Sequence, residues 1–307
     1  NPRRGMVNGV QAYGSIDELP EPVDFAIVAA PVEQSIEIVK AAVRKEIKFI
    51  HFFTSGFSEM GNRQLEEDLI NEARKGDLRI VGPNCVGIFC AESKVAFRPD
   101  HNGNDPGGVA FLGQSGGVTG NFVTTAMTRR ISLNKVVSYG NQIDLRVEDY
   151  LDYLADDKSV RLIACYIEDI KEPEAFLKIL ERTTAIKPVI ILKGGKTDTG
   201  SKAAASHTGA MASNYTVWAA AVHQHGGLLV DDFEQMMDLV MLGAYGKPLQ
   251  GKRVGFLGAG GGVSVLFTDL AEEAGLFLTE LNEKTQQTIG KVIKGVNTST
   301  SNPVDLG

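Results

Sequence analysis

One imidazole stands in a run of small residues that packing alone does not explain. Gly194-Gly-Lys-Thr-Asp-Thr-Gly-Ser-Lys-Ala-Ala-Ala-Ser-His-Thr-Gly-Ala210 follows the apolar run Val189–Lys193 and places His207 between Ser206 and Thr208. A segment so rich in Gly, Ala and Ser buries little apolar area. What it offers is close backbone approach and room for a bulky anion beside the ring. A neutral imidazole is nucleophilic near pH 7, and the phosphoramidate formed on it passes its phosphoryl group onward. The same residues also suit a histidine that only hydrogen-bonds within its loop, so the residue types leave both readings open.

Two further groups would complete such chemistry. Gly113-Gln-Ser-Gly-Gly117 lies between an apolar run and a helical pattern. There the first helical turn has unsatisfied N–H donors and the positive end of the dipole, and Ser115 adds a hydroxyl, which together make a cradle for a phosphoryl group. Tight strand–helix turns are also glycine-rich for packing reasons alone. Glu168 follows the run Leu162–Ile167 and precedes Asp169. At the carboxyl end of a strand, a carboxylate is placed to accept Nδ1–H of His207 and raise the basicity of the ring; a solvated loop acid is the other reading. Thr54-Ser55-Gly56-Phe57 and Pro83-Asn84-Cys85-Val86-Gly87 also follow apolar runs and are candidate ligand loops, although Cys85 equally suits a small buried hydrophobe. His223 and His225 stand before Gly226-Gly227, as at a helix C-terminus, and no third ligand at metal spacing accompanies them, so no metal site is assigned. Neither His51, in a strand, nor His101, in a linker, has a partner in view.

The elements that must position these groups alternate regularly. Phe25–Ala30 reads as a strand, 32–45 as a helix, Phe49–Thr54 as a strand, 62–74 as a helix and Arg79–Gly82 as a strand. Continuous apolar runs separated by helices predict an α/β fold with parallel sheets covered on both faces. The stretch 100–108 lacks apolar periodicity and reads as a linker. Beyond it come apolar runs at Val109–Leu112, Lys135–Ser138, Leu162–Ile167 and Val189–Lys193, a break at 246–251, and a new unit opening at Arg253. The expected division is 1–100, 106–246 and 251–307. The second and third units open alike: Val109-Ala-Phe-Leu-Gly-Gln-Ser-Gly-Gly-Val118 matches Val254-Gly-Phe-Leu-Gly-Ala-Gly-Gly-Gly-Val263 at a constant offset of 145 positions, as two related domains in tandem would. The third-unit turn lacks the serine and is assigned a structural role.

Composition narrows the partners. A net charge of −7 disfavours a nucleic-acid groove or an anionic membrane, while leaving local anion binding by backbone amides open. Three cysteines without a pairing pattern fit a reducing cytoplasm. No run approaches the roughly 20 apolar residues of a membrane span. Both ends read as cut, because the chain opens on Asn1 and stops just after a turn-like segment.

Taken in order, these motifs resemble the α part of ADP-forming acetyl-CoA synthetases and, more distantly, the α subunit of succinyl-CoA synthetase. The resemblance runs through the whole chain. Ser206-His207-Thr208-Gly209-Ala210 after Lys193-Gly-Gly is its most specific piece, supported by Gln114-Ser115-Gly116-Gly117, Ser138-Tyr139-Gly140-Asn141, Tyr166-Ile167-Glu168 and Gly82-Pro83-Asn84-Cys85. It implies a Rossmann-like CoA-binding domain without its first strand and glycine turn, followed by tandem flavodoxin-like domains of the succinyl-CoA-synthetase type, the last incomplete. By the same resemblance His207 is the phosphohistidine and Glu168 its stabilising acid. Gln114, Ser115, Gly116, Gly117, Ser206 and Thr208 would hold the phosphate. CoA would be held by Asn1, Pro2, Arg3, Ala30, Pro31, Phe53, Thr54, Ser55, Asn84 and Cys85, with Ser138 and Asn141 near the thioester.

The implied reaction takes acyl-CoA, ADP and phosphate to acid, CoA and ATP through an acyl phosphate and phosphohistidine. ADP or ATP with magnesium would sit on an ATP-grasp β subunit or domain, and an oligomer is expected. Where the family commonly has glycine after the glutamate, this chain has Asp169. The competing class is a non-catalytic CoA- or acyl-CoA-binding regulator, which would not need Ser206-His207-Thr208. A nicotinamide-dependent oxidoreductase is disfavoured, since the first domain has no GxGxxG with a downstream ribose acid.

Overall fold

In the computed structural model, residues 5–98, 106–202, 214–247 and 250–307 are described. Residues up to Gly246 form one compact unit and Lys247–Gly307 a second.

The first unit opens with a hairpin of β1 (Gly5–Val7) and β2 (Val10–Ala12). A parallel sheet follows in the order β3 (Phe25–Val28), β4 (Phe49–Phe52), β5 (Arg79–Val81). The helix expected from position 32 begins as a single 3-10 turn, Val32–Gln34, and becomes α1 (Ser35–Arg44); α2 is Arg63–Ala73. Both are amphipathic: Val39 and Ala42 of α1, and Leu69 and Ala73 of α2, face Ile50, Phe52 and Ile80 in one buried core.

The larger sheet has six strands: β6 (Gly87–Cys90), β7 (Val109–Gly113), β8 (Leu133–Ser138), β9 (Leu162–Ile167), β10 (Val189–Lys193) and β11 (Leu228–Val230). Their order is β11-β10-β9-β7-β8-β6. All pairs are parallel except β6 with β8. Strand β7 lies in the middle and is buried throughout, which is why it reads as an unbroken apolar run. Its residues alternate between two cores. Val109 and Phe111 join Phe122 and Val123 of α3 (Gly116–Thr128) and Met236 and Val240 of the helix Phe233–Tyr245. Ala110 and Leu112 face the other way, toward α4 (Val147–Asp156), α5 (Pro173–Thr184) and Val222 of the helix Tyr215–Gln224. Each fully buried Val, Leu, Phe or Met among them contributes about 1.5–3 kcal/mol.

The two sheets exchange backbone. Strand β6 follows directly from the loop that ends β5, yet it pairs with β8 from Gly87↔Ser138 to Cys90↔Lys135. In return the segment after β8 lies along β5: Leu145 N donates to Ile80 O (3.2 Å) and Ile143 N to Gly82 O (3.2 Å). Asp144 also accepts from Ile80 N (2.8 Å) and pairs with Arg79 (2.9 Å).

In the second unit, Arg253–Val254 pairs with Phe277–Leu278 and Leu257–Gly258 with Val304–Asp305, both in parallel. Its helix Gly261–Glu273 has 13 residues, as α3 does, and starts and ends at the same 145-residue offset. The two copies differ at the helix entry. Ser115 caps α3 by accepting from Val118 N (3.4 Å). Gly260 at the equivalent place has no side-chain cap and donates its N–H to Asp305 Oδ1 (2.9 Å).

Candidate functional site

The carboxyl ends of both parallel sheets in the first unit converge on a cavity of about 360 Å3. In open α/β sheets ligands bind at this end, outside the carboxyl ends of the strands. The small sheet supplies Phe53 and Ser55 after β4, and Asn84, Cys85 and Val86 after β5. The large sheet supplies Gln114, Ser115, Gly116 and Gly117 after β7, and Gly140 and Asn141 after β8.

Close backbone approach shapes these walls. Gly140 has φ +52°, and a Cβ there would lie 2.1 Å from Pro83 O; only glycine lets the loop after β8 rest on the loop after β5. Asn141 N donates to Pro83 O (3.0 Å), and Val86 N to the Ser138 hydroxyl (3.3 Å). Phe53 is 54% exposed and offers a free aromatic face at the rim.

Among the described residues, no lysine or arginine lines the cavity. An anion here would be held by dipoles: the amides at the start of α3, the Ser115 hydroxyl and the side-chain amide of Asn84.

Of the residues singled out from the sequence, Phe53, Ser55, Asn84, Cys85, Gln114, Ser115, Gly116, Gly117 and Asn141 line this one cavity. Ala30, Pro31, Thr54, Ser138 and Glu168 are not among its lining residues. Thr54 instead donates to Ala30 O (2.7 Å) and accepts from Asn84 N (3.1 Å), so it ties strand ends together. Cys85 is 3% exposed, and burial pushes its thiol up to about 12, against a smaller lowering by the Gly87 amide; it is a packed side chain and not a nucleophile. Asn1, Pro2, Arg3, Ser206, His207 and Thr208 lie outside the described residues.

Glu168 stands at the end of β9, beside the Ser115 turn. Gln114 Oε1 accepts from Glu168 N (2.8 Å) and Asp169 N (2.9 Å). Lys193 Nζ donates to Glu168 O (2.8 Å) and also to Gly194 O. The Glu168 carboxylate interacts with the Tyr166 hydroxyl, whose pKa is raised by burial, then by the carboxylate charge and their hydrogen bond. A Cβ on Gly194 would meet Tyr166 Oη at 2.6 Å and Glu168 Cγ at 3.2 Å. The acid therefore sits against the first residue of the segment that carries His207. Burial lowers the pKa of Lys193, offset in part by Asp169 and Glu168.

Sequence reading missed the support behind Asn141. Its Nδ2 donates to Glu59 Oε2 (2.6 Å) and Glu66 Oε1 (2.8 Å). Glu59 Oε1 also accepts from Gly56 N (2.6 Å) and Phe57 N (3.1 Å), and Glu66 Oε1 from Ser58 N (3.2 Å). The available signal was two acids following a candidate ligand loop, which is too common to single out. His51 was also missed. It is 2% exposed, lies in contact distance of Cys85 O (2.9 Å), and burial lowers its pKa.

Two α/β layers whose strand-end loops meet around one cavity are an arrangement in which such sheets bind ligands. Comparison with known proteins gives the family. Residues 1–91 match the family of CoA-binding domains, and 106–242 the succinyl-CoA ligase like flavodoxin domain. The α subunit of an ADP-forming acetate–CoA ligase from Pyrococcus furiosus is 36% identical over the whole chain, which spans 67% of that subunit. An ADP-forming acetate–CoA ligase of Methanocaldococcus jannaschii is 30% identical, again over the whole chain, which spans 43% of it. Among solved structures, an acetyl-coenzyme A synthetase of Ca. Korarchaeum cryptofilum, determined with phosphate and ADP, superposes with a TM-score of 0.88 at 30% identity, covering 100% of this chain and 66% of that one. The chain belongs to the ADP-forming acyl-CoA ligase family and corresponds to its α part. It spans between less than half and about two thirds of these relatives.

Proposed function

We propose that this chain binds acyl-CoA and carries a phosphoryl group on His207, in an enzyme interconverting acyl-CoA, ADP and phosphate with carboxylic acid, CoA and ATP. The observation that supports it is the convergence of both sheets' strand-end loops on one cavity that also contains a capped helix N-terminus. In this reading residues 1–100 hold CoA, 106–246 hold the phosphoryl chemistry, and 251–307 belong to a second flavodoxin-like domain. Phe53, Ser55 and Asn84 face the CoA side, the resemblance assigns Asn1, Pro2, Arg3, Ala30 and Pro31 to the same ligand, and Ser138 and Asn141 border the thioester.

Inorganic phosphate bound at the Ser115 turn attacks the thioester carbonyl. The C–S bond breaks, CoA leaves as the thiolate and takes up a proton, and an acyl phosphate forms. A ring nitrogen of His207 then attacks phosphorus, the P–O bond to the acyl group breaks, and the carboxylate departs. Glu168 accepts the N–H of the other ring nitrogen, balancing the positive charge of the phosphorylated ring. Transfer from nitrogen to the β-phosphate of ADP restores the free imidazole. ADP and magnesium are assigned to an ATP-grasp domain or β subunit, and Ser206 and Thr208 to the phosphoryl oxygens.

The test uses the complete enzyme, including its nucleotide-binding part, and ATP labelled at the γ-phosphate. An acid-labile label on the α part that disappears in His207→Ala is expected. Label that survives this substitution, or turnover without it, rejects the reading.

A further inference from the structure

We infer that Gln114 is a positioning residue that holds the Glu168 turn in register with the Ser115 turn; the inference rests on the proposed roles of Glu168 and Ser115. The ladder between β7 and β9 ends at Gly113↔Tyr166, and Gln114 N donates to Tyr166 O (3.1 Å) just beyond it. Past that point the two strands lead into different loops, and among the described residues no backbone acceptor serves the next amides of the β9 side. The Gln114 side chain takes over. Its single Oε1 accepts from both Glu168 N (2.8 Å) and Asp169 N (2.9 Å). The glutamine is 4% exposed, so water is a poor substitute for that oxygen.

The same peptide link that follows Gln114 carries Ser115, the cap of α3. One side chain thus fixes the spacing between the proposed phosphate cradle and the carboxylate's backbone. On the opposite side Lys193 Nζ holds Glu168 O (2.8 Å), so the Glu168 residue is gripped at both its N–H and its C=O. Sequence resemblance placed Gln114 among the phosphate ligands. Its acceptor oxygen is committed to two amides, so contact with a phosphoryl oxygen falls to its Nε2 donors. Neutrality is also favourable here: a carboxylate would satisfy the two amides but place negative charge beside the cradle.

The experiment compares wild type, Gln114→Met and Gln114→Glu in the complete enzyme. It follows the rate of acid-labile labelling of His207, KM for CoA, and hydrogen exchange at the Glu168 and Asp169 amides. In Gln114→Met, labelling is expected to slow about 10- to 100-fold, with KM for CoA unchanged and faster exchange at both amides. Wild-type labelling in Gln114→Met overturns the inference. So does a rise in KM with unaltered exchange, which would make Gln114 a ligand contact. If Gln114→Met does not fold, Gln114→Glu decides by exchange alone: retained protection of the two amides supports the inference, and lost protection overturns it. A wild-type enzyme that takes no label on His207 instead defeats the proposed function.

Discussion

Glu59 takes the side-chain amide of Asn141 at 2.6 Å, and so ties a loop of the small sheet to a loop of the large one across the back of the cavity. Its other oxygen receives the Gly56 and Phe57 amides. One carboxylate therefore touches both the wall that Ser55 contributes and the wall that Asn141 contributes, with Glu66 a second acceptor for Asn141 (2.8 Å).

That dependence has a pH signature. Burial works against the Glu59 carboxylate, but hydrogen bonds from Asn141, Gly56 and Phe57 outweigh it and hold the pKa below the ordinary value of 4.5. Its stabilising contribution is thus complete above pH 4.5 and fades as pH falls through the lower, folded-state value. Glu59→Gln should unfold in urea about 1–2 kcal/mol more easily at pH 7. The gap from wild type should narrow below pH 4.5; a gap constant down to acid pH contradicts this account.

Ser115 serves two purposes that substitution can separate. Ser115→Ala removes the cap on α3 and should cost about 1 kcal/mol in stability while slowing His207 labelling. Ser115→Asp should recover the stability, since aspartate caps as well as serine, yet label more slowly still because its charge repels the phosphoryl group. Denaturant midpoints and labelling rates measured on the same preparations check both halves.

Gly140→Ala should destabilise the first unit by about 1–3 kcal/mol from the positive φ alone, with the 2.1 Å approach to Pro83 O adding to it. Circular-dichroism denaturation measures the loss. CoA affinity, followed by calorimetry, should fall as well, because the displaced loop carries Asn141.

Thiol reagents provide a check on burial. Cys90 is half-buried, while Cys85 and Cys165 are buried and burial raises both their pKa values. In the native protein at pH 8, one thiol should react with Ellman's reagent before the other two, and peptide mapping should find it at Cys90. Early modification of Cys85 would show that its loop opens.

Much of this was legible in the chain because it is local. The unbroken apolar run Val109–Leu112 announced a central parallel strand, and the glycine turn with Ser115 announced the helix that starts at Gly116. The internal repeat was legible too, since helices of equal length begin at Gly116 and Gly261. What escaped was non-local or weakly patterned. The strands of the first hairpin are three residues each and almost wholly exposed, so they carry no alternation. Nothing in Gly87–Cys90 says that it runs antiparallel to a strand more than forty positions later. Glu59 and Glu66 carry no pattern of their own in the chain, and only the fold brings Asn141 to them. Gln114 was assigned from its neighbours in the motif, whereas its partners lie on another strand.

The reciprocal lending of backbone between the sheets bears on access to the cavity. A clamshell protein opens by swinging one lobe away from the other. Here β6 is zipped to β8 while Ile143 and Leu145 are stitched to the loop and strand of β5, so such a swing would break hydrogen bonds on both sides. Under the proposed function, acyl-CoA would therefore enter between walls whose spacing the backbone sets, and a change of acyl preference would be sought first in the side chains that line them.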